Sequence, residues 1–231
     1  MKSEKLTDAS ARPRSRWYGD ACATAHAMEL LGERWSLLVM RELFFGPKRF
    51  SELRAGLPGL SATVLTQRLE GLEAAGILHR LRMPPPVSAQ LYALTEWGLQ
   101  SEPIFQALGR WAARSPSHDP TLAFSAASLM LSLGAMFDPA RAEGLQARIG
   151  FRLAHEDFLV TIADGAIATR RAAIDGADLV LEGPPRLLAA AIYGGQPWAA
   201  LEATGEVRLA GDRALAEKLA TLFPLPDKAP G

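Results

Sequence analysis

The sequence predicts an α+β protein in two parts: a mostly helical front part that ends in a small β-ribbon, and a back part in which helices cover a sheet. Three observations lead there. Between residues 20 and 83, apolar residues recur at helical spacing in short runs closed by glycine, and the last run passes straight into an alternating strand. Residues 115–120, SPSHDP, break every pattern, and alternating segments dominate beyond them. The charge also changes sign: 15 Lys and Arg stand against 11 Asp and Glu in residues 1–115, and 10 against 14 in 116–231.

These shifts divide the chain into a flexible basic arm (1–19), a front domain (20–114), a linker (115–120) and a back domain (121–231). With 48% apolar residues, 231 positions can bury one large core or two modest ones. A positive front half is the side on which a polyanion would bind. The single cysteine, Cys22, excludes an internal disulfide framework, and no secretory pattern opens the chain, so a cytoplasmic protein is expected. Pro120 to Phe137 carries no charge, yet it is short for a bilayer and contains Ser125, Ser128 and Ser132. A buried or partner-facing helix is predicted there, with no membrane contact.

In the front part, ACATAHAMELLG reads as a helix with Asp20 as N-cap and Gly32 at its end. RWSLLVMRELFFG follows, burying Trp35, Leu38, Leu43 and Phe44 and stopping at Gly46. RFSELRAGL repeats Phe50, Leu53 and Leu57, and LPGLS turns into the next helix, so the pair forms a helix-turn-helix. In that second helix Leu65, Leu69 and Leu72 share the core stripe, Ser61 can cap the free N–H groups, and Thr63 and Gln67 lie opposite, flanked by Thr66 and Glu70. An N-terminal face that is small, hydrogen-bonding and free of acid in its first turns suits a major groove, with Gln67 the leading base reader and Arg68 a further contact; a solvated surface helix looks similar. ILHRLRM then alternates, sending Leu78, Arg80 and Arg82 to one side, and QLYALT returns after the stiff tip PPPVSA. Arg80 and Arg82, with Lys48 and Arg49 ahead of the third helix, are candidate phosphate contacts on double-stranded DNA.

The runs LLGERWSLLVMRELFFGPKRFSELRAGLPGLSATVLTQRLEGLEAAGIL, LYALTEWG and ALGRWA resemble the HxlR-type winged helix-turn-helix regulators, relatives of the MarR group, over roughly residues 20–114. The resemblance implies a homodimeric bacterial transcription regulator, more often a repressor. It also implies that the Trp97 to Trp111 helix and the helix starting near Ala21 pair the subunits. The sequence departs from the family at Thr63 and Ser88, near which members often carry arginine. Cys22 stands where some members are described as sensing electrophiles or oxidants; packing and sensing both remain open, and no resolving cysteine exists in the chain.

The back part alternates through RIGFRLA, FLVTIADGAIATRRA with an Asp164-Gly165 turn, and ADLVLEG. PPRLLAAAIYGG follows as a helix, GEVRLAGD as a strand and RALAEKLATLF as a closing helix. This is an α+β sandwich. Its pattern resembles the sterol-carrier-protein-like lipid-binding domains over about residues 121–223. That resemblance implies an apolar tunnel for a small-molecule effector such as a fatty acyl chain or polyketide, with Met130, Met136, Phe137, Tyr193 and Trp198 as candidate lining. A dry core serving dimerisation is the other reading.

Catalysis finds no footing. The four histidines are scattered, and zinc spacing, nucleophile elbow and phosphate loop are missing from the sequence, so no enzyme, metal or cofactor is expected. The expected function is a ligand-responsive regulator binding a pseudo-palindromic operator. Two alternatives stand beside it: a Cys22 sensor with a purely structural back domain, and a lipid or polyketide carrier accessory that does not bind DNA.

Overall fold

The computed structural model describes residues 18–84 and 89–230. Residues 1–17 of the basic arm and residues 85–88 of the ribbon tip lie outside the described residues.

In the N-terminal half, α1 (Ala23–Leu31) starts at Cys22 and not at Asp20. The Asp20 carboxylate instead accepts from the Cys22 N–H at 2.9 Å, and no side chain caps the helix. Before α2 (Ser36–Leu43), Trp35 is held at φ 80°. The buried stripe of α2 is Val39, Met40 and Leu43, whereas Leu38, expected inside, is exposed. At 3.6 residues per turn Leu38 lies roughly 140° round the helix from Leu43, and a single stripe cannot hold both. A two-residue strand, β1 (Lys48–Arg49), precedes α3 (Phe50–Gly56), and α4 (Ala62–Ala74) follows after the turn through Gly59.

The ribbon consists of β2 (Leu78–Met83) and β3 (Ala89–Leu94), and β1 joins on its other side to give the antiparallel order β1-β3-β2. The expected single helix from Trp97 to Trp111 is two, α5 (Glu96–Leu99) and α6 (Glu102–Ala113). Pro103 explains the break, because proline lacks the N–H an interior position needs and is accommodated only in a first turn.

In the C-terminal half, α7 (Ala126–Met136) leads into β4 (Ala147–Leu153), β5 (Glu156–Ala163), β6 (Ala166–Arg171) and β7 (Leu179–Glu182). These are followed by α8 (Pro185–Ile192), α9 (Trp198–Ala203), β8 (Arg208–Gly211) and α10 (Arg213–Leu219). The sheet order is β6-β5-β4-β7-β8, with β7 parallel to β4. The β5–β6 hairpin turns on Asp164 and Gly165, at φ 52° and 73°, as a two-residue turn with both central residues left-handed requires. Strand alternation sends Ile149, Phe151, Phe158, Val160, Leu179 and Leu181 into one core beneath the helices. The six-residue α9 escapes a periodicity reading because it is too short to show a stripe.

The uncharged helix of the sequence, α7, is apolar on every side and therefore must be buried on every side. It does this by wedging between the halves: Leu131 packs in the N-terminal core, while Leu129, Met130, Leu133 and Met136 pack in the C-terminal one. Ala113 at the end of α6 also enters the C-terminal core, and Phe45 touches both, its ring edge-on to Phe158 at 5.6 Å. Residues 227–229 lie along the end of α6, where the Lys228 ammonium caps the carbonyls of Ala113 and Ser115 at 3.0 Å each.

The expected apolar tunnel is filled. Phe151, Phe158, Trp198 and Phe223 occupy the space between sheet and helices, and the Trp198 indole donates to the Ala216 carbonyl at 3.0 Å. Met130, Met136 and Trp198 are thus packed core, while Phe137 and Tyr193 lie partly buried at its edge. The Tyr193 hydroxyl bonds Ser132 at 2.6 Å, and burial pushes the phenol above its ordinary range. Two surface clefts of this half, lined by residues such as Glu143, Gln146 and Asp164 and by Arg152, Glu182 and Arg208, are open and touch none of the five candidates. Among the described residues, no helix is long and apolar enough to cross a membrane.

Candidate nucleic-acid interface

Helix α4 is built as its sequence requires. Leu65, Leu69 and Leu72 are buried, the Ser61 hydroxyl accepts from the Val64 N–H at 3.3 Å, and Thr63, Thr66 and Gln67 face solvent. Thr66 turns its hydroxyl back to the Ala62 carbonyl at 3.0 Å, leaving Ser61, Thr63 and Gln67 as the outward hydrogen-bonding groups of the first two turns. No acidic side chain lies in the first turn, so the partial positive charge of the helix start is open to a phosphate.

The cations divide into two kinds. Arg82 and Arg49 are exposed, and neither is ion-paired to a described residue. Arg80 is only half exposed. Its guanidinium pairs with Glu73 of α4 at 3.0 Å and sits over the Tyr92 ring at 5.8 Å, so it holds the ribbon against the helix it flanks. Arg68 is mostly covered and pairs with Glu33 at 2.6 Å, tying α4 to the turn between α1 and α2. Its side chain faces the protein, not the outward surface of α4.

Lys48 must be withdrawn from the phosphate contacts. Its side chain is 6% exposed, and its ammonium lies 3.3 Å from Glu42 and 3.2 Å from Glu156. Strand alternation separates it from Arg49, its neighbour, which points outward. Glu42, Glu156 and Arg171, which surround this ammonium or its partners, escaped the sequence reading. They lie up to 129 positions apart, and a charged residue within a strand or helix reads as solvated until its neighbours are known.

A second surface is apolar. Trp97, Ile104, Leu108 and Trp111 recur at helical spacing along α5 and α6 and are exposed, Trp111 by 71%, with Met28 of α1 and Tyr18 exposed as well. Cys22 is exposed at the start of α1, where the N–H groups of Ala25 and Thr24 hold its thiol below the ordinary range. Among the described residues, no group of three or more His, Cys, Asp or Glu could hold a metal ion.

A capped helix with an outward polar face, presented by a turn and flanked by a basic ribbon, defines a winged helix DNA-binding protein. Comparison with known proteins agrees. The HxlR-like helix-turn-helix family matches residues 30–119. An uncharacterised HTH-type transcriptional regulator of Synechocystis sp. is 40% identical over 106 residues, covering 45% of this chain and 76% of the relative. The HTH-type transcriptional regulator YodB of Bacillus subtilis is 38% identical over 86 residues, 37% of this chain and 77% of its own. The chain belongs to the HxlR-type family of transcription regulators.

Among solved structures, the reduced form of YodB covers 43% of this chain and all of its own at 34% identity, with a TM-score of 0.39. The C-terminal half matches a different description, the alkyl sulfatase C-terminal domain, over residues 115–229. The sterol-carrier resemblance is only loosely related to that match. The alkylsulfatase Pisa1 from Pseudomonas sp. covers 42% of this chain and 16% of its own at 17% identity, with a TM-score of 0.39.

Proposed function

We propose that the protein is a homodimeric repressor that occupies a pseudo-palindromic operator with two copies of α4. The observation that carries this reading is the exposed Ser61, Thr63 and Gln67 face of α4 beside an uncovered Arg82. Gln67 reads a base edge, Ser61 and Thr63 support it, and Arg82 and Arg49 contact phosphates. The stripe Trp97, Ile104, Leu108 and Trp111, with Met28, meets the same stripe of a second copy, because a contiguous apolar surface of this kind is costly to leave in water. The domain boundaries are those read from the sequence, with residues 115–120 as the junction.

Fluorescence anisotropy on the DNA upstream of the protein's own gene, titrated against salt and scrambled competitor, tests this reading. Selective, salt-steep binding is expected. Weak binding, equal on scrambled duplex, would overturn it in favour of a carrier or interaction role. An apolar effector would enter at the partly buried Phe137 and Tyr193, where the Ser132–Tyr193 pair offers one polar handle. It would have to part α8 from α7, and a titration with fatty acids that changes the intrinsic fluorescence of the parent but not of Trp198→Phe reports that opening.

A second reading is favoured by one observation: the thiol of Cys22 is exposed and its acidity is raised by the helix start. An electrophile adduct there would bear on the first helix of the proposed dimer. Loss of operator binding on treatment with a quinone, absent in Cys22→Ser, is the expected result of sensing. Equal loss in both proteins removes Cys22 from the mechanism.

A further inference from the structure

Where the halves join, side chains from five elements form one chain of alternating charge. Arg41 of α2 donates to Glu42 at 2.9 Å, and the Ser125 hydroxyl, at the start of α7, donates to the same carboxylate at 2.7 Å. The Lys48 ammonium of β1 bridges Glu42 and Glu156 of β5. Arg171 of β6 then donates to Glu156 at 3.0 Å and, with its other arm, to the Pro47 carbonyl at 2.9 Å. Two glycines leave room for it. A Cβ on Gly46, which sits at φ 119°, would lie 3.0 Å from an Arg171 nitrogen, and one on Gly56 would lie 2.7 Å from a Glu42 oxygen.

Such a cluster is a poor source of net stability, because removing charges from water offsets most of their mutual attraction. What it supplies is placement. The apolar part of the seam, Phe45 against Phe158 and Leu131 among the N-terminal side chains, is held by a non-directional attraction that does not by itself single out one register. A chain of six partners that satisfies every charge does so in one relative position, and a slip leaves a buried carboxylate or ammonium unpaired. The strand it grips matters too. Lys48 is registered opposite Tyr92 on β3, Tyr92 carries the Arg80 guanidinium, and Arg80 pairs with Glu73 of α4. A continuous set of contacts thus runs from the β5–β6 edge of the C-terminal domain to the recognition helix.

We propose that this cluster is the joint by which the C-terminal domain sets the pose of the ribbon beside α4, so that a domain which does not touch DNA determines how tightly DNA is held. The consequence for DNA rests on the function proposed above; the joint itself does not. The test uses the full chain with Cys22→Ser and spin labels on Met83→Cys in the ribbon and Arg208→Cys on β8, diluted with unlabelled protein. The ribbon-to-β8 distance distribution is compared with and without Glu156→Gln/Arg171→Met, which removes one charge of each sign.

The parent should give one narrow distribution and the double variant one roughly twofold broader or displaced. Unlabelled, the double variant should bind the upstream duplex about tenfold more weakly than the parent. An unchanged distribution overturns the joint. A broadened one with unchanged affinity keeps the joint and overturns its effect on DNA, whereas a parent that binds no DNA selectively overturns the regulator reading and leaves the distances to decide the joint. If the double variant does not fold, Arg171→Lys carries the test: it keeps the charge but loses the fork that reaches both Glu156 and Pro47, and should broaden the distribution less.

Discussion

The proposed DNA-facing surface and the seam behind it are built from the same residue types and use them in opposite ways. Lys48 and Arg49 show this in two adjacent positions. Arg49 projects into solvent, where a charge costs nothing to keep and serves any anion that approaches. Lys48 projects inward between two carboxylates, where its charge is tolerated only because both partners are present. A cation on the outer surface is replaceable for folding and, on the function proposed, needed for binding; a cation in the seam is the reverse. Arg82 and Arg171 repeat the contrast across the two halves.

The largest expected effect breaks the inner side of that contrast. Lys48→Ala leaves Glu42 and Glu156 without their shared cation and should destabilise the protein by about 3–5 kcal/mol, against less than about 0.5 kcal/mol for Arg49→Ala. Urea unfolding of the two variants measures the difference, and similar losses would erase the distinction between the faces. On the outer side, Gln67→Ala should leave the unfolding midpoint near the parent's while costing about 1–3 kcal/mol of discrimination at one base position. A panel of operators with single substitutions reads this out, and undiminished selectivity would remove Gln67 as a reader.

Arg82→Ala should weaken all duplexes alike and lower the salt slope of binding by about one, where Arg171→Ala should change stability first. Smaller still, Ser61→Ala removes the α4 cap and should cost about 1 kcal/mol in thermal or urea unfolding, sharpening the contrast between a helix end that depends on one hydroxyl and α1, which has no side-chain cap. The last effect is one of pH. Because helix N–H groups stabilise the Cys22 thiolate, iodoacetamide should modify the folded protein with a half-maximal rate at lower pH than the urea-unfolded chain. Coincident profiles would show that the helix start does not act on the thiol.

Much of the N-terminal half was legible in its sequence because its signals are local. The Leu65, Leu69 and Leu72 stripe, the Ser61 cap and the basic alternating ribbon are each set by residues within a few positions of one another. The same reasoning misplaced Leu38, ran α5 and α6 together, and put a cap at Asp20 that the chain uses for a turn onto Cys22. It also treated Lys48, Arg68 and Arg80 as free cations. Each has a partner, six to 108 residues away, and no spacing rule points to Glu33, Glu73 or Glu156.

By itself, then, the sequence determined most of the longer elements, the buried stripe of α4 and its polar surface, because backbone hydrogen bonding imposes fixed periods on which apolar and polar residues can be read. It also required that the uncharged α7 be hidden. Only the tertiary structure decided what hides it, that the C-terminal core is filled and not hollow, and which of two neighbouring cations faces out. Those outcomes depend on side chains brought together from far along the chain, and the free energy of a charge or a cavity is defined by such neighbours and not by the residue that carries it.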